Sequence, residues 1–408
     1  MKNLTLLYFL LTSFVAAAKE EPVLKVKTKA HAYVVSKVAE GFDGIWALEF
    51  LNDEELIFTE ISGKIGILNL RTGQTRKLEN VPRVYHEGQG GLLDVAVDPD
   101  FKQNRKVYLT YAKKVGGLQT TALATSKLDA GKGRFEEWKE LFVASPAFST
   151  SHHFGSRMAF DGEGHVFLTV GDRGQQDLAQ SLEAHAGKVL RLNLDGSVPS
   201  DNPFAKKAGA KPEIWSFGHR NPQGIFYDGA TKTLYEQEHG PKGGDEINVV
   251  VPGNNYGWPV ITHGREYSGG PVGKGISEKE GLEQPLKYFV PSIAPSSLLI
   301  YRGGKLGFFK DRFVSGSLAL QHLNLLDVKG AAKACEDRLL LNFEERIRDV
   351  KQGPDDLIYF STDSGKIFVI RPAEKAVGKE GKDLTSTAAA KGYEPCEKLT
   401  EVQLGSAP

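Results

Sequence analysis

A six-bladed β-propeller, an all-β fold, is the class this sequence predicts, and three observations point there. A turn-then-strand unit recurs six times, and glycine is abundant at 45 of 408 residues. Only two methionines accompany 22 phenylalanines and 13 tyrosines. Aromatic residues suit a pleated, half-buried surface, and glycine supplies tight turns between strands.

The units follow in chain order. Asn52 and Asp53 form a turn that runs into Leu56-Ile57-Phe58, with Gly63 to Leu68 after it. Asp98-Pro99-Asp100 leads into Lys106-Val107-Tyr108-Leu109. Asp161 to Leu168 is followed by Gly187 to Leu192. Tyr227-Asp228-Gly229 precedes Thr233-Leu234-Tyr235 and then Asp245 to Val250. A degenerate copy spans Ile300 to Val328, and Gly353 to Phe360 with Gly365 to Ile370 is the last. Each carries alternating or short continuous β-branched and aromatic runs between turn residues. A lone four-stranded blade cannot bury both faces, whereas radial stacking covers them and leaves few exposed edges. A pair of β-sandwiches is the competing architecture, and the repeat disfavours it.

Bulk properties bound the rest. Lys plus Arg and Asp plus Glu each total 51, so the charge makes no case for nucleic acid or a membrane surface. Lys2, the apolar run Leu4 to Val15 and the small residues Ala16-Ala17-Ala18 form an export signal. That run is short for a bilayer span of roughly 20 residues. Residues 1–18 are therefore expected to be a signal peptide, and the mature protein periplasmic or secreted. Later segments offer no membrane span. Cys335 and Cys396 could pair in an oxidising compartment, although the sequence does not show that they meet. Neither lies in a CxxC or CxxCH arrangement, which argues against zinc and covalent haem. Residues 19–372 are assigned to the propeller and 373–408 to a flexible linker and tail.

Polar loops between the strand-like runs carry the chemistry. His86 to Asp94 includes Gln89-Gly90-Gly91, whose glycines either admit a ligand close to the backbone or simply turn the chain between blades. Ser151-His152-His153 precedes Gly171-Asp172-Arg173-Gly174. A histidine with a carboxylate partner serves as a general base, and paired histidines alternatively bind metal, though no HExxH spacing completes such a site. Gly218-His219-Arg220-Asn221 offers fixed donors for an electron-rich oxygen. Glu238 to Glu246 and then Asn255-Tyr256-Gly257-Trp258 combine carboxylates with glycine-rich backbone, which suits Ca²⁺ or a solvated turn. Strand alternation puts Arg346 and Arg348 on one face, as an anion site or a solvent-facing pair on an edge strand.

Taken in order, these stretches read Gln-Gly-Gly-Leu-Leu, His-x-x-x-Arg, Gly-Asp-x-Gly, Gly-x-Arg-Asn-Pro-Gln-Gly, Gly-Pro…Asp-Glu-Ile-Asn, Asn-Tyr-Gly-Trp-Pro and Arg-x-Arg-Asp. They closely resemble the soluble aldose sugar dehydrogenases of the glucose/sorbosone dehydrogenase family, from about Ile45 to Pro372. The resemblance implies a six-bladed propeller with pyrroloquinoline quinone (PQQ) and Ca²⁺ at the channel mouth. It implies that His153 is the general base, that Asp172 orients it, and that Arg220 and Asn221 hold the quinone oxygens. Gln89, with His152 beside the base, would face the sugar and the cofactor. Arg346 and Arg348 would grip the cofactor's carboxylates, and Tyr267 would line the same pocket. The carbonyls of Gly240 and Pro241 would bind the cofactor's Ca²⁺, and Glu246 and Tyr256 a second, structural Ca²⁺.

One position departs from the family pattern. A lysine that follows Ala-Leu in the family is replaced here, where Leu318-Ala319 puts Ala319 at its place. One cation is thereby lost from an anionic cofactor's site. The reading remains oxidation of aldoses to lactones with electrons passed to an external acceptor, by a monomer or homodimer. A cofactor-free propeller that binds sugars or a protein is the alternative from another class. A Ca²⁺-dependent lactonase is a third, and it lacks an identifiable carboxylate cage.

Overall fold

Each repeat unit becomes the middle hairpin of one blade. The computed structural model describes residues 20–28, 30–327, 336–373, 382–383 and 400–403. The expected signal peptide, Cys335 and Cys396 lie outside them.

The first blade is Ile45–Phe50, Glu55–Glu60, Lys64–Asn69 and Thr75–Lys77, in antiparallel order. The second runs Leu92–Val97, Lys106–Val115 and Leu118–Asp129, with Lys139–Val143 and the short Arg134–Phe135 pairing the last of these. Met158–Phe160, His165–Val170, Lys188–Asn193 and Ile214–Phe217 make the third. Pro222–Asp228, Thr233–Glu238, Asp245–Val250 and Lys287–Phe289 make the fourth, and Pro295–Ile300, Arg312–Ser317, Leu323–Asp327 and Glu336–Leu339 the fifth. The six-bladed reading therefore holds, down to the degenerate fifth copy.

The sixth blade closes the ring. Ile347–Gln352, Ile358–Thr362 and Lys366–Pro372 accept the N-terminal strand Ala32–Glu40 as their outer neighbour, from Tyr33 opposite Pro372 to Glu40 opposite Lys366. Joining the two chain ends in one sheet lets backbone hydrogen bonds hold the circle shut. That sheet then continues through Glu21–Lys27 to Thr400–Gln403 and Lys382–Asp383. Within the segment expected to be linker and tail, Thr400–Gln403 pairs with Leu24 to Lys27, and the Leu340 amide donates to the Glu401 carboxylate. An unpaired strand edge at Glu21–Lys27 supplies the physical reason.

Apolar side chains fill the wedges between blades. Trp46, Ile57 and Ile67 of the first meet Val95, Leu109 and Ala124 of the second. At the axis, the first strands of successive blades pack against one another around the full circle. Arg157 ties this layer together. Its guanidinium lies 3.1 Å from Asp94 and 3.2 Å from Asp349, and it donates to the carbonyls of Gln223, Trp46 and Arg348. A cavity of about 520 Å³ opens at the N-terminal ends of the inner strands. A second, of about 400 Å³, lies further along the same strands, beside Arg157.

Candidate active site

The larger cavity is built from loops that enter the inner strands. Gln89, Asn221, Leu318, Arg346 and Arg348 line it, together with Trp46, His86, His239 and Asp363.

Beside it sits the His153 imidazole. Its Nδ1 is 2.7 Å from Asp172 Oδ1, and this bond makes Nδ1 the donor and leaves Nε2 as the acceptor. The His153 backbone takes the left-handed conformation at φ 55°, and its amide donates to Gln89 Oε1 at 2.8 Å. Gly171 permits this approach, since a Cβ there would lie 2.1 Å from the His153 carbonyl oxygen. Asp172 is 1% exposed and fully engaged. Oδ1 also accepts from the Gly174 amide, and Oδ2 accepts from the Trp258 indole at 2.8 Å. Burial pushes the His153 imidazole below its ordinary value despite Asp172, which favours the neutral ring. Burial would raise Asp172, but its hydrogen bonds from His153 and Gly174, with the nearby Arg220 charge, outweigh that and keep it below the usual carboxylate range. His152 packs edge-on against His153 at 4.6 Å, and burial lowers it too.

Arg220 and Asn221 follow a turn held by one carboxylate. Glu238 accepts the amides of both residues. The Arg220 guanidinium donates to the carbonyls of His239 and Gly240 at 3.0 and 2.8 Å and faces the Trp258 ring. Asn221 Oδ1 accepts from the Gly155 amide and Gln223 Nε2, which leaves its own NH₂ to donate. Across the lining, Arg346 and Arg348 share Asp363. Their Nε atoms lie 2.8 and 2.7 Å from its two oxygens, and Arg346 also donates to the Leu318 carbonyl.

Two residues stand apart from this group. Tyr267 is 71% exposed and absent from the cavity lining. Ala319 is exposed beside Leu318, its amide held by Ile293 O at 3.1 Å. Of the metal candidates, Gly240 O already accepts from Arg220, while the Gly240 amide is capped by Asp245. Tyr256 commits its hydroxyl to Val249 O and the Val251 amide, so its carbonyl remains as a metal donor. Glu246 is half-buried, with the Asn248 amide 3.4 Å from its carboxylate, which leaves oxygen capacity for a hard cation. The donor set suits PQQ as well: two guanidiniums for its carboxylates, an amide and a third guanidinium for its quinone oxygens.

The glucose/sorbosone dehydrogenase family model matches residues 42–371. The chain belongs to that family. Among its relatives, the aldose sugar dehydrogenase YliI of Escherichia coli is 38% identical over 344 residues, covering 83% of this chain and 92% of that one. The crystal structure of the E. coli soluble aldose sugar dehydrogenase in its apo-form has a TM-score of 0.80 at 37% identity, covering 84% of this chain and 100% of that one. Quinoprotein glucose dehydrogenase B of Acinetobacter calcoaceticus is 30% identical over 271 residues, 60% of this chain and 56% of that protein.

For this family member, the residue-level reading missed three contributors. Asp363 orders the arginine pair, and its only signal is a Thr-Asp-Ser-Gly turn in the hairpin after Arg348. Trp258 carries a specific hydrogen bond where the motif showed only an aromatic residue. His239 lines the cavity with Nε2 on Pro295 O, and burial pushes it down to about 3.

Proposed function

We propose that this chain is a PQQ- and Ca²⁺-dependent dehydrogenase that oxidises soluble aldoses at the anomeric carbon to lactones and passes the electrons to an external acceptor. The observation that carries the reading is the His153 imidazole, held by Asp172 at 2.7 Å beside a cavity that presents Arg346 and Arg348. The two E. coli and Acinetobacter relatives, named as an aldose sugar dehydrogenase and a quinoprotein glucose dehydrogenase, support it.

His153 Nε2 takes the proton of the anomeric hydroxyl as hydride leaves the carbon. Asp172 stabilises the imidazolium that forms, and Trp258 and Gly174 keep that carboxylate in place. PQQ, when bound, supplies the two-electron acceptor for that hydride. Arg346 and Arg348 would hold its carboxylates. Arg220 and Asn221 would hold its quinone oxygens, and Arg220 would stabilise negative charge there. Gly240 and Pro241 carbonyls would hold the cofactor's Ca²⁺, and Glu246 with Tyr256 a structural one. His152 and Gln89 contact the sugar. The export signal read in residues 1–18 supports a site of action in the periplasm or outside the cell. Among the described residues no helix is long and apolar enough to cross a membrane.

Reconstitution with PQQ and Ca²⁺, followed by a dye-linked assay over an aldose panel, tests the reading. Dye reduction with at least one aldose, dependent on both additions, is expected. Bound PQQ without oxidation of any aldose would sink the sugar assignment. Failure to bind PQQ, together with sugar binding by calorimetry, would favour a cofactor-free binding module.

A further inference from the structure

Blade four contains a second imidazole–carboxylate group, sealed inside the protein. Glu236 and Glu238 lie on Thr233–Glu238, opposite Asn248 and Glu246 on Asp245–Val250, so all four side chains share one face of the sheet. His219 enters from the turn before Pro222–Asp228. Its Nδ1 lies 3.3 Å from a carboxylate oxygen of Glu236 and 3.3 Å from one of Glu238. All three side chains are at least 95% buried, since none exposes more than 5%.

Three features of this group call for a cation. The donor atoms of His219, Glu236 and Glu238 all lie within 4.8 Å of one another, the spacing of ligands around one ion. The second oxygen of Glu236 is buried and has no hydrogen-bond partner among the described residues. No lysine or arginine ion-pairs with Glu236 or Glu238 among the described residues, so even a charged His219 would face two carboxylates. Buried charge of one sign is retained only with a counter-ion or by neutralisation.

We propose that His219, Glu236 and Glu238 form a structural site for one first-row divalent transition ion, of the Zn²⁺ or Mn²⁺ class. An imidazole nitrogen among carboxylate oxygens suits such ions better than Ca²⁺, which prefers an all-oxygen shell. The Nε2 of His219 is 2.8 Å from Ser216 Oγ, the outer contact that fixes a ligating histidine's tautomer and leaves Nδ1 for the metal. The remaining oxygen of Glu238 accepts the backbone amides of Arg220 and Asn221. An ion held here therefore stiffens the turn that presents Asn221 to the large cavity and sets Arg220 on the carbonyls of His239 and Gly240. The site is separate from the calcium positions at Gly240, Pro241, Glu246 and Tyr256, though Glu246 neighbours it. It does not rest on sugar oxidation.

The test uses the full chain, stripped with chelator and returned to saturating Ca²⁺. ZnCl₂ and MnCl₂ are then titrated separately, with metal content by mass spectrometry and thermal unfolding as readouts. One equivalent of Zn²⁺ or Mn²⁺ should be retained per chain and raise the unfolding temperature. Glu236→Gln should weaken retention at least tenfold with Ca²⁺ content unchanged, and Glu236→Leu should abolish it. If the leucine variant does not fold, the near-isosteric glutamine variant decides. Retention of neither ion, displacement of the ion by Ca²⁺, or equal retention in wild type and Glu236→Gln would each overturn the proposal.

Discussion

The mouth and the floor of the central channel use the same chemistry to opposite ends. At the floor, Arg157 meets two aspartates and three carbonyls, with 5% of its side chain exposed. At the mouth, Arg346 and Arg348 divide a single aspartate between them. The floor is saturated, so it can only hold blades together. The mouth has donors to spare, and spare hydrogen-bonding capacity in a cavity is what a ligand uses. His153 shows the same asymmetry, with one ring nitrogen fixed on Asp172 and the other left as an acceptor.

Substitutions at the two levels should therefore separate catalysis from stability. The largest effect is expected from His153→Ala, which should lower kcat by about 10²–10⁴-fold while PQQ binding and thermal stability stay near wild type. His152→Ala should act mainly on the sugar's KM. Steady-state kinetics at saturating cofactor distinguishes them, and a dead His152 variant beside an active His153 variant would reverse the roles. The wild-type rate should also fall as pH drops through a value below 6.5, because the base must be neutral and burial lowers its pKa. An acidic limb above 6.5 would contradict that environment.

At the floor, Arg157→Ala should cost about 3–5 kcal/mol of stability, because it strands Asp94 and Asp349 as buried charges. Chemical denaturation measures this, and a loss under 1 kcal/mol, roughly a surface pair's worth, would mean the axis is not held by this ion cluster. Back at the mouth, Arg348→Ala should weaken PQQ about tenfold or more, from a charge-assisted bond worth roughly 1.5–3 kcal/mol. Unchanged affinity in a fluorescence titration would remove the arginine from the cofactor site.

Smaller effects test finer points of the same contrast. Trp258→Phe keeps the ring and deletes the donor to Asp172, so kcat should fall roughly two- to tenfold, matching about 0.5–1.5 kcal/mol for one hydrogen bond. Ala319→Lys restores a cation at an exposed position, where charges contribute about 0–1 kcal/mol, so PQQ affinity should rise no more than about fivefold. No change at all would mean that position 319 does not reach the cofactor.

The fold was legible because every blade repeats the same demand. A hairpin with turn residues at its tip and apolar alternation along its strands has to be covered on both faces, and six copies leave a ring as the economical arrangement. Most site residues were legible because they belong to contiguous loop motifs. Asp363 was not, since its partners Arg346 and Arg348 lie at the start of Ile347–Gln352, a whole strand earlier, and its own turn looks like any other. The strand at Thr400–Gln403 was hidden by a long, polar connection. Glu236 and Glu238 share the strand Thr233–Glu238, but His219 comes from the turn before Pro222–Asp228 and meets them only in the folded sheet.

What the amino-acid sequence determined by itself is whatever depends on neighbours along the chain. The six hairpins, the His153 loop, the Arg220-Asn221 turn and the spacing of Arg346 and Arg348 are of that kind. Only the tertiary structure decided which groups are sealed and which keep capacity for a ligand. Arg157 and Arg348 illustrate the point, since each begins as an arginine near an inner strand. Burial and the number of acceptors within reach are set by packing from five other blades. They make one of these arginines a strut and the other a binding group.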